Sequence, residues 1–498
     1  MVKSTKKKRV QNRRRLAPDG GCVVKWDKYP RGARVREVDR MRDTIAAIAT
    51  GPARAAVGIL RLSGPEAIRA AGAVFRAQSG RPLAEYESRR LVLGNLLDRE
   101  GRPVDQVLAT ISRGPESYTG EDTAELQCHG SPAVLALGLE ALFAQGVRQA
   151  GPGEFTRRAF LNGRLDLLQA EAVADLIDAG SAQAARCAGG QLSGRLSRRV
   201  EEIYRALVDV SAHFHAVLDY PDEDIDAFGA DSLDRALASA EGELSALLDT
   251  YRRGKLLMEG VPCAIVGRPN AGKSSLLNAL LGYERAIVTD IPGTTRDTVE
   301  ERCTLGGRLL RLIDTAGIRE TGDAVERMGV ARSRAALEGA KLALVLVDGG
   351  DVGEEDMALL RYAMEQVPRV LILLTKQDLR EGTDTPPVFA GEELPPVLEI
   401  SSRTGYGLDR LEQAIEALFP PDAAQDGGEM LTNARQAGAA GRALEGVRSA
   451  RKSLAAGMTP DAVLVDVEGA MEALGELTGR SLREDVTARI FERFCVGK

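Results

Sequence analysis

Gly267-Arg268-Pro269-Asn270-Ala271-Gly272-Lys273-Ser274 carries the spacing GxxxxGK[ST], a pattern suited to gripping a triphosphate. Its glycines let the backbone curl round a phosphate, so that successive amide N–H groups and a helix N-terminus face negative charge. Lys273 supplies a cation for the β and γ phosphates, and Ser274 offers a hydroxyl to Mg²⁺. An ordinary glycine turn before a helix would need no strand ahead of it. Here residues 263–266 read as a buried strand, and Leu276, Leu277, Leu280 and Leu281 follow at helical spacing.

Three later segments bear on the choice of nucleotide. Asp314-Thr315-Ala316-Gly317 follows an apolar strand at 309–313 and puts a carboxylate where it can hold Mg²⁺ through water. Between it and the phosphate loop lies Thr294-Thr295-Arg296-Asp297, and either threonine suits a loop that closes over the γ phosphate. Thr375-Lys376-Gln377-Asp378 follows a strand at 370–374. A carboxylate at Asp378 can accept both the ring N–H and the exocyclic amine of guanine, whereas adenine would leave it buried and unpaired. The usual motif is NKxD, so Thr375 stands in the Asn position. Ser401-Ser402-Arg403 is similar to the SAK loop whose backbone N–H meets the guanine carbonyl.

The hydrolytic residues are less usual. Ras-like proteins place Gln directly after DxxG to orient water, but Ile318 stands there and can neither donate nor accept. Glu320 is the nearest carboxylate able to act through a water chain, against a reading as a solvated loop acid. No arginine can be named as a finger in cis, and Asn270 is placed to help hold a monovalent cation instead.

GRPNAGKSS, TDIPGTTRD and DTAGIRE together resemble the bacterial and organellar tRNA uridine-5-carboxymethylaminomethyl modification GTPases, the MnmE or TrmE family. The resemblance favours Thr295 as the closing threonine. It implies GTP contacts at Asn270, Ala271, Gly272, Lys273, Ser274 and Ser275, and at Thr289, Asp290, Ile291, Pro292, Gly293, Thr294 and Thr295. Asp314, Thr315, Ala316, Gly317, Thr375, Lys376, Asp378, Ser401, Ser402 and Arg403 complete that set. It further implies Mg²⁺ at Ser274 and Thr295, K⁺ at Asn270, Thr289, Ile291 and Thr294, and Glu320 as the catalytic acid beside Lys273. In the family K⁺ activates hydrolysis when two G domains dimerise.

The same resemblance extends to the N-terminal region through TIAAIAT, VGILRLSG, SYTGEDTAELQCHG and GEFTRRAFLNGRLDLLQAEAVADLIDA, which are similar to the family's folate-binding domain. Folate contacts then fall at Arg61, Glu125 and Arg164, with Lys498 nearby; the ligand is a tetrahydrofolate derivative, 5-formyl or 5,10-methylene. A carboxylate suits that role because a pterin presents the same amine and ring N–H edge as guanine. The terminal Cys495-Val496-Gly497-Lys498 matches the family's C[IVL]GK, where the Cys is implicated in the modification; the plain alternative is a frayed tail. One departure is Gly51-Pro52-Ala53-Arg54-Ala55-Ala56-Val57-Gly58, where the family has PPGRGGVG. The implied partners are a second copy of the chain, a FAD-dependent subunit forming a heterotetramer, and tRNA, with no membrane and no DNA.

These residues must be positioned by more than one domain. The chain has 498 residues, 44% hydrophobic, enough for two to four cores. No apolar run approaches the roughly 18 residues that span a bilayer. Six scattered cysteines without a CxxC pair point to reduced thiols in a cytoplasmic protein, and against disulfides or zinc. Residues 1–40 hold 14 Lys and Arg against 4 Asp and Glu, while 41–498 hold 52 against 68. The body is therefore acidic, and a direct RNA-binding surface would have to be a local patch. The basic stretch reads as a disordered extension with three competing readings, an arm touching RNA, a solvated tail, or residues upstream of a native start at Met41, of which the last is favoured.

The expected fold class is multidomain α+β and α/β. Residues 41–160 form an N-terminal α+β domain, with strands at 57–62, 91–97 and 107–111 and a helix at 131–143. Residues 161–258 and 423–498 form one all-α domain, into which a Ras-like G domain with a mostly parallel sheet is inserted at 259–422. Leu192, Leu196, Val200, Ile203, Leu207, Val210, Phe214 and Val217 are read as one continuous stripe. The competing function is a switch-type GTPase in ribosome assembly or signalling, without folate chemistry. An ATPase would require Asp378 to be irrelevant.

Overall fold

The computed structural model describes residues 43–51, 53–219, 230–282, 301–313, 335–349, 351–379, 394–420, 427–481, 490–491 and 494–497. The first sheet has seven strands: β1 (Ile45–Ile48), β2 (Ala55–Ser63), β3 (Phe75–Ala77), β4 (Val92–Leu97), β5 (Pro103–Ser112), β6 (Thr123–Gly130) and β7 (Arg148–Gln149), in the order β3-β4-β5-β6-β2-β1-β7. Alternation of apolar and polar residues along β2 and β6 sends Leu60, Leu62, Leu126 and Cys128 into the core, under the helix Pro132–Ala144. Arg61 and Glu125 are left on the other face. In the altered loop, Ala55 and Ala56 are exposed, so their methyl groups meet solvent rather than a neighbour.

Four long helices make the second body: Arg195–Asp219, Ala230–Asp249, Ala434–Ala455 and Pro460–Thr478. Their core draws on both sides of the inserted segment, with Leu207, Leu237, Leu244, Val447, Val467 and Leu474 in one cluster. Each such side chain contributes about 1.5–3 kcal/mol on burial, so neither half can close the core alone. The halves are also tied by polar bonds. Leu431 N donates to Thr250 Oγ1 at 3.1 Å, Gln191 Nε2 donates to Met430 O at 2.7 Å, and Arg435 forks onto the Glu171 carboxylate at 2.6 and 2.8 Å.

The stripe expected to be continuous from Leu192 is interrupted. Leu192 closes a separate helix, Ala182–Leu192, and Gly194 at φ 80° turns the chain before Arg195 begins the next. Periodicity of three and four survives a short break, so the pattern alone cannot reveal it. The boundary expected at 160 falls inside the helix Glu154–Leu161.

The inserted body is a six-stranded sheet: β8 (Val261–Gly267), β9 (Glu301–Leu305), β10 (Arg308–Ile313), β11 (Leu342–Asp348), β12 (Val370–Thr375) and β13 (Val397–Glu399), ordered β13-β12-β11-β8-β10-β9. All neighbours are parallel except β9 and β10, which form a hairpin. Continuous burial of β8, β11 and β12 requires helices on both faces. The turn end of the hairpin rests on the helical body, where Thr304 Oγ1 donates to Gly180 O at 2.5 Å and Arg308 Nη1 to Gln183 Oε1.

Candidate functional sites

The phosphate loop leaves β8 and enters the helix Lys273–Gly282, whose Leu276, Leu277 and Leu280 are buried beneath the sheet. A methyl at Gly267 would lie 2.5 Å from Leu346 O, and Gly272 has φ 94°, so neither position accepts a side chain without moving the loop. Asn270 is also left-handed, at φ 63°, a conformation that Asn tolerates. Arg268 anchors the loop from outside through Asp356 at 3.2 Å and Asp351 at 3.4 Å. Lys273 Nζ donates to Gly267 O at 2.8 Å and Arg268 O at 2.7 Å. Burial lowers its pKa below the usual lysine range, and an anion in the loop would oppose that shift.

The base-reading residues arrive on the adjacent strand end. Thr375 is buried and closes β12; Lys376, at φ 59°, turns the chain, and Asp378 follows in a short helical turn. Ser401 Oγ donates to Asp378 Oδ1 at 2.7 Å, which fixes the carboxylate against the Ser401-Ser402-Arg403 loop. Lys376 Nζ pairs with Asp348 Oδ2 at 2.7 Å. Asp378, expected from the sequence to be buried, is exposed, so a penalty on adenine could arise only once a base covers the carboxylate.

Thr289, Asp290, Ile291, Pro292, Gly293, Thr294, Thr295, Asp314, Thr315, Ala316, Gly317, Glu320 and Lys498 lie outside the described residues. A cavity of about 550 Å³ opens where the chain enters and leaves the inserted body, beside Gln183, Leu257, Arg308, Leu309, Phe419 and Met430, and none of the nucleotide or folate candidates lines it.

The second site sits on the open face of the first sheet. Arg61 and Glu125 face each other in register across β2 and β6, with Nε to Oε1 at 2.8 Å. The Arg61 guanidinium lies 5.9 Å from the ring centres of both Tyr118 and Phe155. Arg164 comes from a different element and is exposed; its stem runs along Gly120. Behind the pair lies a network that the sequence reading missed. Arg158, fully buried, donates to Asp43 Oδ1 at 2.7 Å, Glu154 Oε1 at 3.0 Å and Glu121 Oε2 at 3.1 Å. Burial alone would raise the Asp43 and Glu154 carboxyls, but hydrogen bonds from Arg148 and Arg158 outweigh it and hold both below their ordinary values.

The C-terminal tail is docked rather than frayed. Phe491 and Phe494 pack on Ala170, Pro152 bridges Val496, and Gly153 N donates to Cys495 O at 3.3 Å. Arg61 Nη1 donates to Gly497 O at 3.4 Å, so the tail that carries exposed Cys495 is tied to Arg61 through Gly497. The other described cysteines, 128, 187, 263 and 303, are buried. Gly497 has φ 101°, and a methyl there would lie 2.4 Å from Ile48 O. Gly497→Ala is expected to release the tail, with exchange of the Gly153 amide accelerated by about tenfold or more. Unchanged exchange measured by NMR would show that the tail is not held there.

Strand, phosphate loop and helix on one mostly parallel sheet, with a carboxylate after a neighbouring strand, define a GTP-binding domain of the P-loop class, set within a helical body. Residues 44–164 match the family described as the GTP-binding protein TrmE N-terminus, and residues 167–495 match the MnmE helical domain. The tRNA modification GTPase MnmE of Alkaliphilus oremlandii is 40% identical over 459 residues, covering 92% of this chain and 99% of that protein. Its counterpart in Heliobacterium modesticaldum is 42% identical over 468 residues, with the same coverage. The chain belongs to the MnmE family of tRNA modification GTPases. A solved G domain, that of the T. maritima FeoB iron transporter, is 28% identical and 97% covered, but its TM-score of 0.24 carries no argument about the fold. Among the described residues no helix is long and apolar enough to cross a membrane.

Proposed function

We propose that this chain is a K⁺-stimulated GTP hydrolase which, with a FAD-dependent partner subunit, adds a carboxymethylaminomethyl or aminomethyl group to C5 of the wobble uridine of certain tRNAs. The reading places it in the cytoplasm as a homodimer that joins the partner in a heterotetramer. Its main support is the docked tail. A chain whose only task was nucleotide-dependent signalling has no need to dock a cysteine-bearing tail, through Gly497 O, on the arginine of an Arg–Glu pair in a separate domain.

The phosphate loop fits a nucleotide. Its cradle would be filled by a methyl at Gly267, and its amides open the helix Lys273–Gly282. In this reading the loop amides and Lys273 bind the phosphates and Asp378 orients the guanine, while Ser274 and Thr295 would hold Mg²⁺, which would supply positive charge for the phosphate oxygens. Asn270, with Thr289, Ile291 and Thr294, would hold K⁺, which supplies a positive charge at the position an arginine finger takes elsewhere. Glu320 orients the attacking water and accepts its proton through a second water.

At the second site, Glu125 would accept the amine and ring N–H of a pterin, while Arg61, Arg164 and Lys498 would face the carboxylates or formyl oxygen of the tetrahydrofolate derivative. Cys495, exposed on the docked tail, would take part in the uridine modification.

Two measurements on the full chain test this. Hydrolysis is expected to be at least tenfold faster in K⁺ than in Na⁺; equal rates would remove Asn270 from the cation role. Labelled 5-formyltetrahydrofolate is expected to bind, and to be lost in Glu125→Gln. A chain that hydrolyses GTP but binds no folate would instead be a switch-type GTPase.

A further inference from the structure

Thr375 stands where the guanine motif usually carries Asn, and its surroundings define what that change does. The side chain is 2% exposed and sits between the phosphate loop and Asp378. Its Oγ1 lies 2.8 Å from Ala271 O, the carbonyl one residue before Gly272, and 3.3 Å from Val347 O. Both neighbours are carbonyl oxygens and can only accept, whereas a hydroxyl has one proton to give. The shorter contact takes it, so the end of β12 is fastened to the phosphate loop. A methyl added at Gly272 would lie 3.8 Å from Thr375 Cβ, which shows how closely the two segments run.

We infer that Thr375 is a positioning residue which locks the base-reading strand to the phosphate loop, and that in doing so it leaves the N7 edge of the purine unread. The inference rests on the GTP-site reading above. Asp378 lies three residues on, beyond the left-handed turn at Lys376, and accepts from the N1 and N2 edge of guanine. The opposite edge, which carries N7, then faces back toward the phosphate loop and Thr375. N7 is an acceptor and needs a proton, but the Thr375 proton is committed to Ala271 O. An Asn amide at this position has two protons, one for the loop and one for the base. Among the described residues, guanine is then recognised through Asp378 and the Ser401 loop, with the strand-to-loop link kept and the second donor given up.

The test is competitive binding of GTP and 7-deaza-GTP, which lacks the N7 acceptor, to the full-length protein with Mg²⁺. The wild-type chain is expected to bind the two within about twofold, because no hydrogen bond is lost. Thr375→Asn is expected to prefer GTP over 7-deaza-GTP by about three- to tenfold, the worth of one added hydrogen bond. Thr375→Val should weaken both nucleotides alike by about tenfold or less while keeping guanine over adenine, and Thr375→Ser should restore them. The Ser variant controls for misfolding.

A wild-type preference for GTP over 7-deaza-GTP of fivefold or more would mean that another donor reaches N7, and would overturn the inference. So would undiminished affinity in Thr375→Val. Failure of the wild-type chain to bind any guanine nucleotide would instead overturn the GTP-site reading itself.

Discussion

Asp378→Asn is expected to weaken GTP binding by about a hundred- to a thousandfold, because two charge-assisted hydrogen bonds become one acceptor contact and one clash of donors. The carboxylate is fixed by Ser401 Oγ at 2.7 Å and follows a left-handed turn at Lys376, so it cannot swing to recover the second contact. The same change should create a new preference. Xanthine carries a carbonyl where guanine has its amine, and an Asn NH₂ group at 378 can donate to it. XTP is therefore expected to bind the variant better than GTP does. Calorimetry with the two nucleotides checks both statements, and unchanged GTP affinity in Asp378→Asn would mean that the purine is read elsewhere.

The second large effect concerns stability of the N-terminal domain. Arg158 is fully buried and answers three carboxylates, Asp43, Glu121 and Glu154. Arg158→Met keeps the volume of the side chain but takes the guanidinium from Glu121 and leaves Asp43 and Glu154 with Arg148 alone. Breaking a buried pair by removing one partner costs about 3–5 kcal/mol. The urea transition of residues in the first sheet should shift accordingly, while the inserted GTP-binding body keeps its midpoint. A shift below about 1 kcal/mol would show that the carboxylates are solvated well enough without the guanidinium.

The same network sets an acid limit. Asp43 and Glu154 are held below their ordinary values of 3.8 and 4.5. A carboxyl whose folded value is depressed stabilises the fold above its unfolded value, and that contribution is lost as pH falls through the folded one. Stability of this domain should therefore be level above about pH 5 and decline below about pH 4, and Arg158→Met should flatten the decline.

Local chemistry made the nucleotide site legible in the sequence. GxxxxGKS fixes backbone freedom, charge and hydroxyl within eight consecutive residues, and the apolar runs before it and before Thr375 are strands because continuous burial leaves them no other role. The register that sets Arg61 opposite Glu125 has no such local signature, since it depends on which strands pair and by how many residues they are offset. Arg158 escaped notice for a related reason: Glu154 is one helical turn away, but Asp43 and Glu121 come from distant positions that only folding brings to it.

By itself the sequence determined that a triphosphate can be gripped, that guanine is the base, and that helices flank the inserted sheet, because these follow from residue types at short, fixed spacings. Tertiary structure decided the rest. It brought Leu431 back to Thr250 so that two distant segments share one core, laid Gly497 against Ile48 so that the tail carrying Cys495 reaches the first sheet, and spent the Thr375 proton on Ala271. Each of these is a contact between residues at least 100 positions apart, and no periodicity within a segment encodes which distant surface will bury it.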